Sequence, residues 1–511
     1  MAQINVVNLT FAYEGNFDNV FEDVSFSVDT NWKLGFIGRN GKGKTTFAQL
    51  LLGKYEYTGN ISTSGVVFDY FPYNVSTTDL EKPTYEIIPQ WKKGCEDWRV
   101  ICEINKMNLD PEVLYRPFKT LSHGERTKVM LAVLFSGENN FLIIDEPTNH
   151  LDAEARECIK VYLASKKGFI LISHDRDILD AVTDHILILN RKTIEVQAGN
   201  FSSWWENKQK KDSYSRSENE KHLREIQKLK NAADKTSRWA EKSESSKIGY
   251  DPIEEHDRSI NARSYIGSKT KKLKQRVKVY EKRINREIKE KENLLQDLEE
   301  VEALKLMPQI FNNETLVYAK DYCFKYSTSD KLVIRNLSFE LKRGERVFLQ
   351  GQNGCGKSTF IKQILSMNEN TEYNFSPNIV SGELRLPTGL KISYISQDTS
   401  FLRGYLKNYC MDNGLDKSLM LSILKKLDFE RVQFEKPMES YSEGQKKKVL
   451  IATGLLIPAH LYIWDEPLNY IDVFSRIQIE DLILKYNPTM LIVDHDVKFR
   501  DKIATRIVEL S

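Results

Sequence analysis

Three motifs occur twice in this chain, and that repeat constrains the fold more than any other feature. Each copy has a glycine-rich segment ending in Gly-Lys-Thr or Gly-Lys-Ser, then a Ser-x-Gly segment, then an apolar run ending in Asp-Glu. The first copy places them at 38–45, 121–125 and 141–146, and the second at 351–358, 441–445 and 461–466. A repeat of this size predicts two similar domains with equivalent sites.

The glycine-rich segments match Gly-x-x-x-x-Gly-Lys-Ser/Thr, a pattern that is specific when a strand precedes it and a helix follows. Glycines let backbone N–H groups close on phosphate oxygens, and the following helix adds its positive N-terminal end. We expect Lys44 and Lys357 to reach the β- and γ-phosphates of ATP, and Thr45 and Ser358 to bind Mg²⁺. The other predicted nucleotide contacts are Gly38, Asn40, Gly41, Gly43, Thr46, Gly351, Asn353, Gly354, Gly356 and Thr359.

Each apolar run that ends in Asp-Glu predicts a buried parallel strand presenting two carboxylates at the edge of a sheet. The aspartates suit the shell of a magnesium ion, and the glutamates suit a base that orients the attacking water. A further apolar run in each copy ends in a histidine, at a position suited to the γ-phosphate. These residues are the aspartates Asp145 and Asp465, the glutamates Glu146 and Glu466, and the histidines His174 and His495.

Together with the phosphate loops, the Ser-x-Gly-Glu/Gln segments resemble the signature of ATP-binding-cassette (ABC) ATPases, in both copies. The resemblance implies that each signature caps the ATP held by the other copy, so that two ATP molecules join the halves. A signature at a helix N-terminus is an anion site that needs a facing phosphate. The capping residues would be Ser122 and Gly124 against the ATP on Lys357, and Ser442 and Gly444 against the ATP on Lys44.

The resemblance also implies aromatic residues that stack on adenine, at Tyr13 and Tyr326, and a glutamine that contributes to the metal shell. The second copy has that glutamine, Gln397, whereas the first has Tyr73 in a Tyr-Phe-Pro-Tyr segment. A tyrosine can donate a hydrogen bond but offers no amide carbonyl to a metal. Because the second copy also has Leu468 within 467–472 where the first has threonine, we expect two unequal ATP sites.

Between the copies, from 201 to 307, apolar strands disappear and charge rises. Apolar residues at helical spacing predict two arms, at 204–241 and 264–304, with stripes containing Leu223, Ile226 and Leu229 in the first and Tyr280 and Ile284 in the second. Such thin stripes favour a helical hairpin over a globular core. The predicted fold is therefore α/β. It has tandem nucleotide-binding domains at 1–200 and 308–511, joined by a long α-helical hairpin at 201–307.

Positive charge is concentrated in one part of this linker. The stretch 263–291 has 12 Lys or Arg and three Glu, too few acids to form i,i+4 pairs along the helix. A phosphate backbone would offset the repulsion, although a solvated coiled-coil face is the alternative. The predicted RNA contacts are Lys247, Arg258, Arg263, Lys269, Lys271, Lys272, Lys274 and Arg276.

Composition excludes several other classes of protein. The formal net charge is only +2, so a nucleic acid would have to meet a local patch. No run of 18 apolar residues occurs, and the first residues lack a signal-peptide profile, so we expect a soluble cytoplasmic protein with no membrane partner. The six cysteines form no Cys-x-x-Cys pair, which argues against zinc, iron–sulfur and disulfide frameworks.

Two cassettes and a charged helical linker resemble the ABC-F family of ribosome-associated ATPases, and the sequence variants are similar to antibiotic-resistance members of the Lsa/Vga type. This implies a monomer with intramolecular cassette pairing that binds the 50S subunit from the E site and contacts 23S rRNA and P-site tRNA. Its linker would dislodge lincosamides, streptogramin A or pleuromutilins from the peptidyl-transferase centre. The alternatives are a housekeeping ABC-F translation factor and a soluble ATPase partner of an efflux transporter.

Overall fold

The computed structural model divides into two units, one made of residues 1–204 and 302–511 and the other of residues 205–301. We call the part up to Trp204 the first cassette and the part from Glu302 the second cassette. The structure describes residues 3–14, 19–63, 65–137, 140–149, 151–190, 192–245, twelve positions between 271 and 287, 304–325, 332–368 and 378–510.

The first cassette contains a small antiparallel sheet and a larger, mostly parallel sheet. The small sheet has the order β2-β1-β4, and the larger has the order β5-β6-β7-β3-β8-β9, with only the β8–β9 pair antiparallel. The strands are β1 Gln3–Phe11, β2 Phe21–Asp29, β3 Lys33–Gly38, β4 Thr58–Ser62, β5 Val67–Phe71, β6 Asn140–Asp145, β7 Phe169–Ile172, β8 His185–Leu189 and β9 Ile194–Ala198.

The second cassette repeats this plan. Its antiparallel sheet has the order β11-β10-β13, and its parallel sheet has the order β14-β15-β16-β12-β17. The strands are β10 Thr315–Lys325, β11 Leu332–Lys342, β12 Arg346–Gln350, β13 Asn378–Arg385, β14 Ile392–Ile395, β15 Leu461–Asp465, β16 Met490–Val493 and β17 Arg506–Glu509. The two predicted carboxylate strands, β6 and β15, therefore occupy the same place in their sheets.

Helices follow the strands in matching order. In the first cassette they span Lys44–Leu51, Thr84–Trp91, Asp97–Lys106, His123–Phe135, Ala153–Ala164 and Arg176–Val182. In the second they span Lys357–Ser366, Leu406–Asp412, Lys417–Lys426, Glu443–Leu456, Val473–Tyr486 and Val497–Ile503. None of the helices in the described part of the chain has the length and apolar character needed to cross a bilayer. The α/β fold predicted from the repeat is confirmed.

Two of these helices carry the Ser-x-Gly motifs, and we call His123–Phe135 and Glu443–Leu456 the signature helices. Ser122 accepts a hydrogen bond from the backbone N–H of Glu125, whose side chain in turn accepts one from the Ser122 N–H. Ser442 and Gln445 form the same reciprocal arrangement. Each motif is thus a capping box that fixes where its helix begins.

A helix of 45 residues, Phe201–Ser245, begins at the end of the first cassette, and the described positions between 271 and 287 are also helical. Ile226 and Ile284 pack together with Leu229, as the predicted stripes require. Leu223 and Tyr280, on the same stripes, remain 53% and 45% exposed. Two paired helices cover only the narrow faces they turn to each other, which accounts for the exposed part of each stripe.

Candidate nucleotide sites between the cassettes

Each phosphate loop has its lysine folded back onto its own backbone. Lys44 Nζ donates to the carbonyls of Gly38 (2.8 Å) and Arg39 (3.1 Å), and Lys357 Nζ donates to those of Gly351 (2.7 Å) and Gln352 (2.9 Å). Both lysines are buried, and burial lowers the pKa of Lys44. A desolvated ammonium group at a helix N-terminus is an arrangement that attracts an anion.

Glycine is required just before each lysine. Gly43 has φ of 109°, and Gly356 has φ of 100°, both in the left-handed region that favours glycine. A Cβ on Gly43 would lie 2.6 Å from Val20 Cγ1, so the β1–β2 segment leaves no room for a side chain. The loop therefore keeps its backbone tightly curved around the position predicted for phosphate.

In the first cassette, Asp145 at the end of β6 accepts hydrogen bonds from two hydroxyl groups. Thr45 Oγ1 donates to Asp145 Oδ2 at 3.1 Å, and Tyr70 Oη donates to the same oxygen at 2.8 Å. Glu146 follows with a left-handed φ of 50° and lies 3.6 Å from His174, between Oε1 and Nε2. Burial, reinforced by the Asp145 charge, raises the pKa of Glu146 to about 8.

The second cassette surrounds its glutamate differently. Glu466 Oε2 accepts hydrogen bonds from Gln397 Nε2 (2.8 Å) and Asn469 Nδ2 (2.7 Å), and His495 Nε2 lies 3.7 Å from Glu466 Oε1. Burial alone would raise the pKa of Glu466, but His495 and the Lys447 ammonium outweigh it and hold that pKa below its usual value. The two sites therefore differ in the electrostatics of their predicted bases.

The tyrosine that contacts Asp145 is not the one at the position of Gln397. Tyr73 stands two residues after β5, as Gln397 stands two residues after β14, but its hydroxyl donates to Asp69 at 3.0 Å and its ring stacks on Trp91. Tyr70, on β5 itself, supplies the contact with Asp145 instead. Side chains alternate along a strand, and this alternation turns Tyr70 toward the carboxylate.

The crossed arrangement of loops and signatures is visible on one side. Asn40 Nδ2 donates to the Tyr470 carbonyl at 2.6 Å, and a Cβ on Gly444 would lie 3.0 Å from Asn40 Nδ2. Lys42 Nζ lies 3.0 Å from Glu430 Oε1, which adds an ion pair between the same parts of the two cassettes. The first phosphate loop thus contacts the start of the second signature helix.

On the other side, Gln352 Nε2 in the second phosphate loop donates to Glu154 Oε2 of the first cassette at 3.4 Å. Among the described residues, the heavy atoms within 4 Å of a Cβ on Gly124 belong to Ala155 and Leu151. His150, which corresponds to Tyr470 in the repeat, lies outside the described residues.

Sequence reasoning missed a buried charge network where the cassettes meet. Arg176 of the first cassette pairs with Glu480 of the second and lies 3.8 Å from Asp496, which also accepts from Arg476 Nη1 at 2.8 Å. Arg156 Nη1 donates to the His495 carbonyl at 3.4 Å. These residues lie in helices and loops that carry no motif, so only their burial identifies them.

Several predicted contacts fall at the edge of the sites or outside the described residues. The Tyr13 hydroxyl is 2.6 Å from Thr46 Oγ1, and its ring lies edge-on to Tyr55 with centroids 5.7 Å apart. Lys271 and Lys272 are exposed and helical. The predictions that fall outside the described part of the chain are Tyr326, Lys247, Arg258, Arg263, Lys269, Lys274 and Arg276.

The residues present fit a magnesium–nucleotide complex. Asp145 is paired with the Thr45 hydroxyl and Asp465 with that of Ser358, and Asp465 Oδ1 is buried without a hydrogen bond to any described residue. The described residues contain no cluster of three or more acidic, histidine or cysteine side chains that could hold a metal. One carboxylate and one hydroxyl suit Mg²⁺, which takes its remaining ligands from phosphate and water.

Comparisons with known proteins agree with this geometry. The profile of the ABC transporter family, ABC_tran, matches residues 21–149 and 334–469. The chain is 28% identical to the ATP-binding protein Uup of Buchnera aphidicola, over 98% of this chain and 79% of Uup. It is 26% identical to the ribosome protection protein VmlR of Bacillus subtilis, over 97% of this chain and 85% of VmlR.

Among solved structures, the chain is similar to that of the archaeal ribosome recycling factor aABCE1 in complex with the ribosomal stalk protein aP1. The TM-score is 0.60 at 19% identity, and the match covers 98% of this chain and 87% of the other. At that identity the similarity shows the shared fold.

Proposed function

Because the chain belongs to the ABC transporter family of ATPases, we propose that it is an ABC-F protein that binds the ribosome in an ATP-dependent manner and protects it from antibiotics. The proposed drugs act at the peptidyl-transferase centre and include lincosamides, streptogramin A and pleuromutilins. Similarity to VmlR along nearly the whole chain supports a role in ribosome protection.

The observation that carries the proposal is the contact between the first phosphate loop and the second signature helix, through Asn40, Tyr470 and Gly444. A phosphate bound to Lys44 would lie where both cassettes contribute to its site, so ATP binding would hold the cassettes together. A ligand that binds only the closed form shifts the equilibrium toward that form. Closure is proposed to give the form that enters the ribosomal E site, toward 23S rRNA and the P-site tRNA.

The chain's own groups would then perform hydrolysis. Lys44 and Lys357 would exchange their loop carbonyls for phosphate oxygens, and Glu146 and Glu466 would orient the attacking water. Mg²⁺, when bound beside Asp145 and Asp465, would neutralise the charge that develops on the phosphates. Loss of the γ-phosphate would remove the group that joins the cassettes, and the protein would leave the ribosome.

The linker is proposed to contact RNA. Lys271 and Lys272 present exposed ammonium groups on a helical stretch with few acidic residues. Such groups bind phosphate backbones without reading sequence, and binding weakens as salt rises. Reversing both charges should therefore reduce ribosome binding and its salt dependence while leaving basal ATP hydrolysis unchanged.

Two measurements test the proposal. The double variant Glu146→Gln/Glu466→Gln should retain ATP and pellet with ribosomes through a sucrose cushion, whereas the wild type dissociates after hydrolysis. A strain that expresses the wild type should grow at higher concentrations of lincomycin, tiamulin or virginiamycin M than the same strain carrying the double variant.

The outcomes separate the alternatives. Ribosome binding without any change in drug tolerance would indicate a housekeeping ABC-F translation factor. Recovery with membranes instead of ribosomes would indicate an ATPase partner of an efflux transporter. A double variant that leaves ribosomes as readily as the wild type would contradict ATP-dependent retention.

A further inference from the structure

A lysine is buried in the second nucleotide site and reaches two backbone carbonyls there. Lys447 lies in the second turn of the signature helix Glu443–Leu456 and is only 2% exposed. Its Nζ donates to the Ser396 carbonyl at 3.0 Å and to the Glu466 carbonyl at 3.2 Å. A single ammonium group thus joins three separate segments of the second cassette.

One of the two carbonyls is that of Glu466, and the other belongs to the segment whose next residue contacts the Glu466 side chain. Ser396 precedes Gln397, whose side chain donates to Glu466 Oε2 at 2.8 Å. Glu466 follows β15 with a left-handed φ of 48°, as Glu146 follows β6 with φ of 50°. The bond from Lys447 to the Glu466 carbonyl is therefore an additional tie on this backbone and not the cause of its conformation.

The first cassette has a threonine at the position that corresponds to Lys447. Ser122 and Ser442 are 320 residues apart, and the same offset relates Lys447 to Thr127. In the first cassette, the end of β5 is tied to β6 by the hydrogen bond from Tyr70 to Asp145. The two sites therefore connect the same pair of strands in different ways, through a side-chain carboxylate in one and through backbone carbonyls in the other.

Packing alone does not account for a lysine at this position. Withdrawing an ammonium group from water is unfavourable, and an apolar side chain of similar length would fill the same volume without that cost. The Lys447 ammonium faces the carboxylates of Asp465, Glu466, Asp494 and Glu443. These charges and the two carbonyls stabilise it where it holds the segments together.

We propose that Lys447 is a positioning residue of the second nucleotide site, fixing the segment before Gln397 to the end of β15 so that Glu466 is held for hydrolysis. The inference rests on the proposed role of Glu466 as the base that orients water. Because Lys447 acts through Glu466 and Gln397, its loss should slow the chemical step and leave nucleotide binding at Lys357 intact.

The experiment uses the full chain carrying Glu146→Gln, so that hydrolysis reports the second site. Lys447→Met keeps the length of the side chain and removes its donors, whereas Lys447→Arg keeps donors. We expect Lys447→Met to lower kcat about 10- to 100-fold, as small misplacements of reacting groups do, with KM changed less than threefold. Lys447→Arg should recover part of kcat. Lys446→Met, at the neighbouring helix position, is the matched control and should hydrolyse ATP normally.

The outcomes of these measurements either support or overturn the proposed role of Lys447. A normal kcat in Lys447→Met, or a parallel loss of kcat and nucleotide affinity with a lowered melting temperature, would overturn the proposal. If Lys447→Met does not fold, Lys447→Gln, which retains a neutral donor, is judged by the same split between kcat and KM. Glu466→Gln in the same background is the reference. If it hydrolyses ATP normally, the assignment of Glu466 itself fails, independently of Lys447.

Discussion

Arg176 and Glu480 form an ion pair that joins the two cassettes where both side chains are almost fully buried. Arg176 Nη1 lies 3.2 Å from Glu480 Oε2, and the side chains are 10% and 0% exposed. Removing one partner of a buried pair typically costs about 3–5 kcal/mol, and Lys502 Nζ, 3.1 Å from Glu480 Oε2, would still compensate part of the Glu480 charge. We therefore expect Arg176→Met to lower the free energy of unfolding by about 3 kcal/mol, at the lower end of this range.

The double variant Arg176→Met/Glu480→Met should be less destabilised than the sum of the two single variants. Urea unfolding of all four proteins measures the coupling between the residues. Additive losses would show that the pair contributes nothing specific. Lys160→Met is a matched control, because Lys160 occupies the position that corresponds to Glu480 and its ion pairs lie within the first cassette.

Gly444 offers a test of the crossed contact. A Cβ on Gly444 would lie 2.6 Å from the Tyr470 carbonyl oxygen and 3.0 Å from Asn40 Nδ2. We expect Gly444→Ala to reduce hydrolysis at the first site at least tenfold, because overpacking of about 1–3 kcal/mol acts on the contact that closes it.

ATP hydrolysis with one glutamate replaced by glutamine measures each site separately, Glu466→Gln for the first site and Glu146→Gln for the second. Normal hydrolysis at the first site when Gly444→Ala is combined with Glu466→Gln would contradict a role for this contact in closing the site.

Tyr70, and not Tyr73, should matter for the first site. Tyr70→Phe removes a hydroxyl that donates to Asp145, and a bond to a charged group contributes about 1.5–3 kcal/mol. In the Glu466→Gln background we expect at least a tenfold change in the Mg²⁺ concentration required for half-maximal hydrolysis. Tyr73→Phe, which loses only the bond to Asp69, is the control. A larger effect of Tyr73→Phe than of Tyr70→Phe would contradict this prediction.

The raised pKa of Glu146 has a consequence for stability. Burial, reinforced by Asp145, places that pKa at about 8, against an ordinary value of 4.5. Between pH 4.5 and 8 the folded protein keeps a proton that the unfolded chain has lost, so stability contributed by this group falls as pH rises. Without nucleotide, the wild type should lose stability relative to Glu146→Gln between pH 5 and 8 and should lose no more above pH 8. Melting temperatures of the two proteins across that range measure this difference in stability. Melting temperatures that change in parallel with pH would contradict the prediction.

The phosphate loops, the carboxylate strands and the signature helices could be predicted because each is encoded in a few adjacent residues. Ser122 with Glu125 and Ser442 with Gln445 even specify where their helices begin, since a capping box is local chemistry. The repeat then predicted the α/β fold, because two sets of the same motifs require two similar sheets.

Other features could not be predicted in the same way. The pair of Arg176 with Glu480 joins positions 304 residues apart, and neither lies in a recognisable motif. Lys447 stands where the first copy has Thr127. Its role depends on the Glu466 carbonyl, which comes from a different segment of the chain. Tyr73 corresponds to Gln397 in the repeat, but the repeat does not show which way each side chain turns, and Tyr70 is the residue that contacts Asp145.

The beginning of the long helix Phe201–Ser245 and the first phosphate loop both contact the ring of Phe474. Trp204 lies 6.0 Å from the Phe474 ring, and the Arg39 guanidinium lies 5.7 Å from the centroid of the same ring. Indole emission responds to the polarity and the charges around it, so Trp204 is a built-in fluorophore at the cassette boundary. The difference in emission between the wild type and Trp204→Phe would report, in solution and without a label, when nucleotide brings Arg39 and Phe474 together or lets them separate.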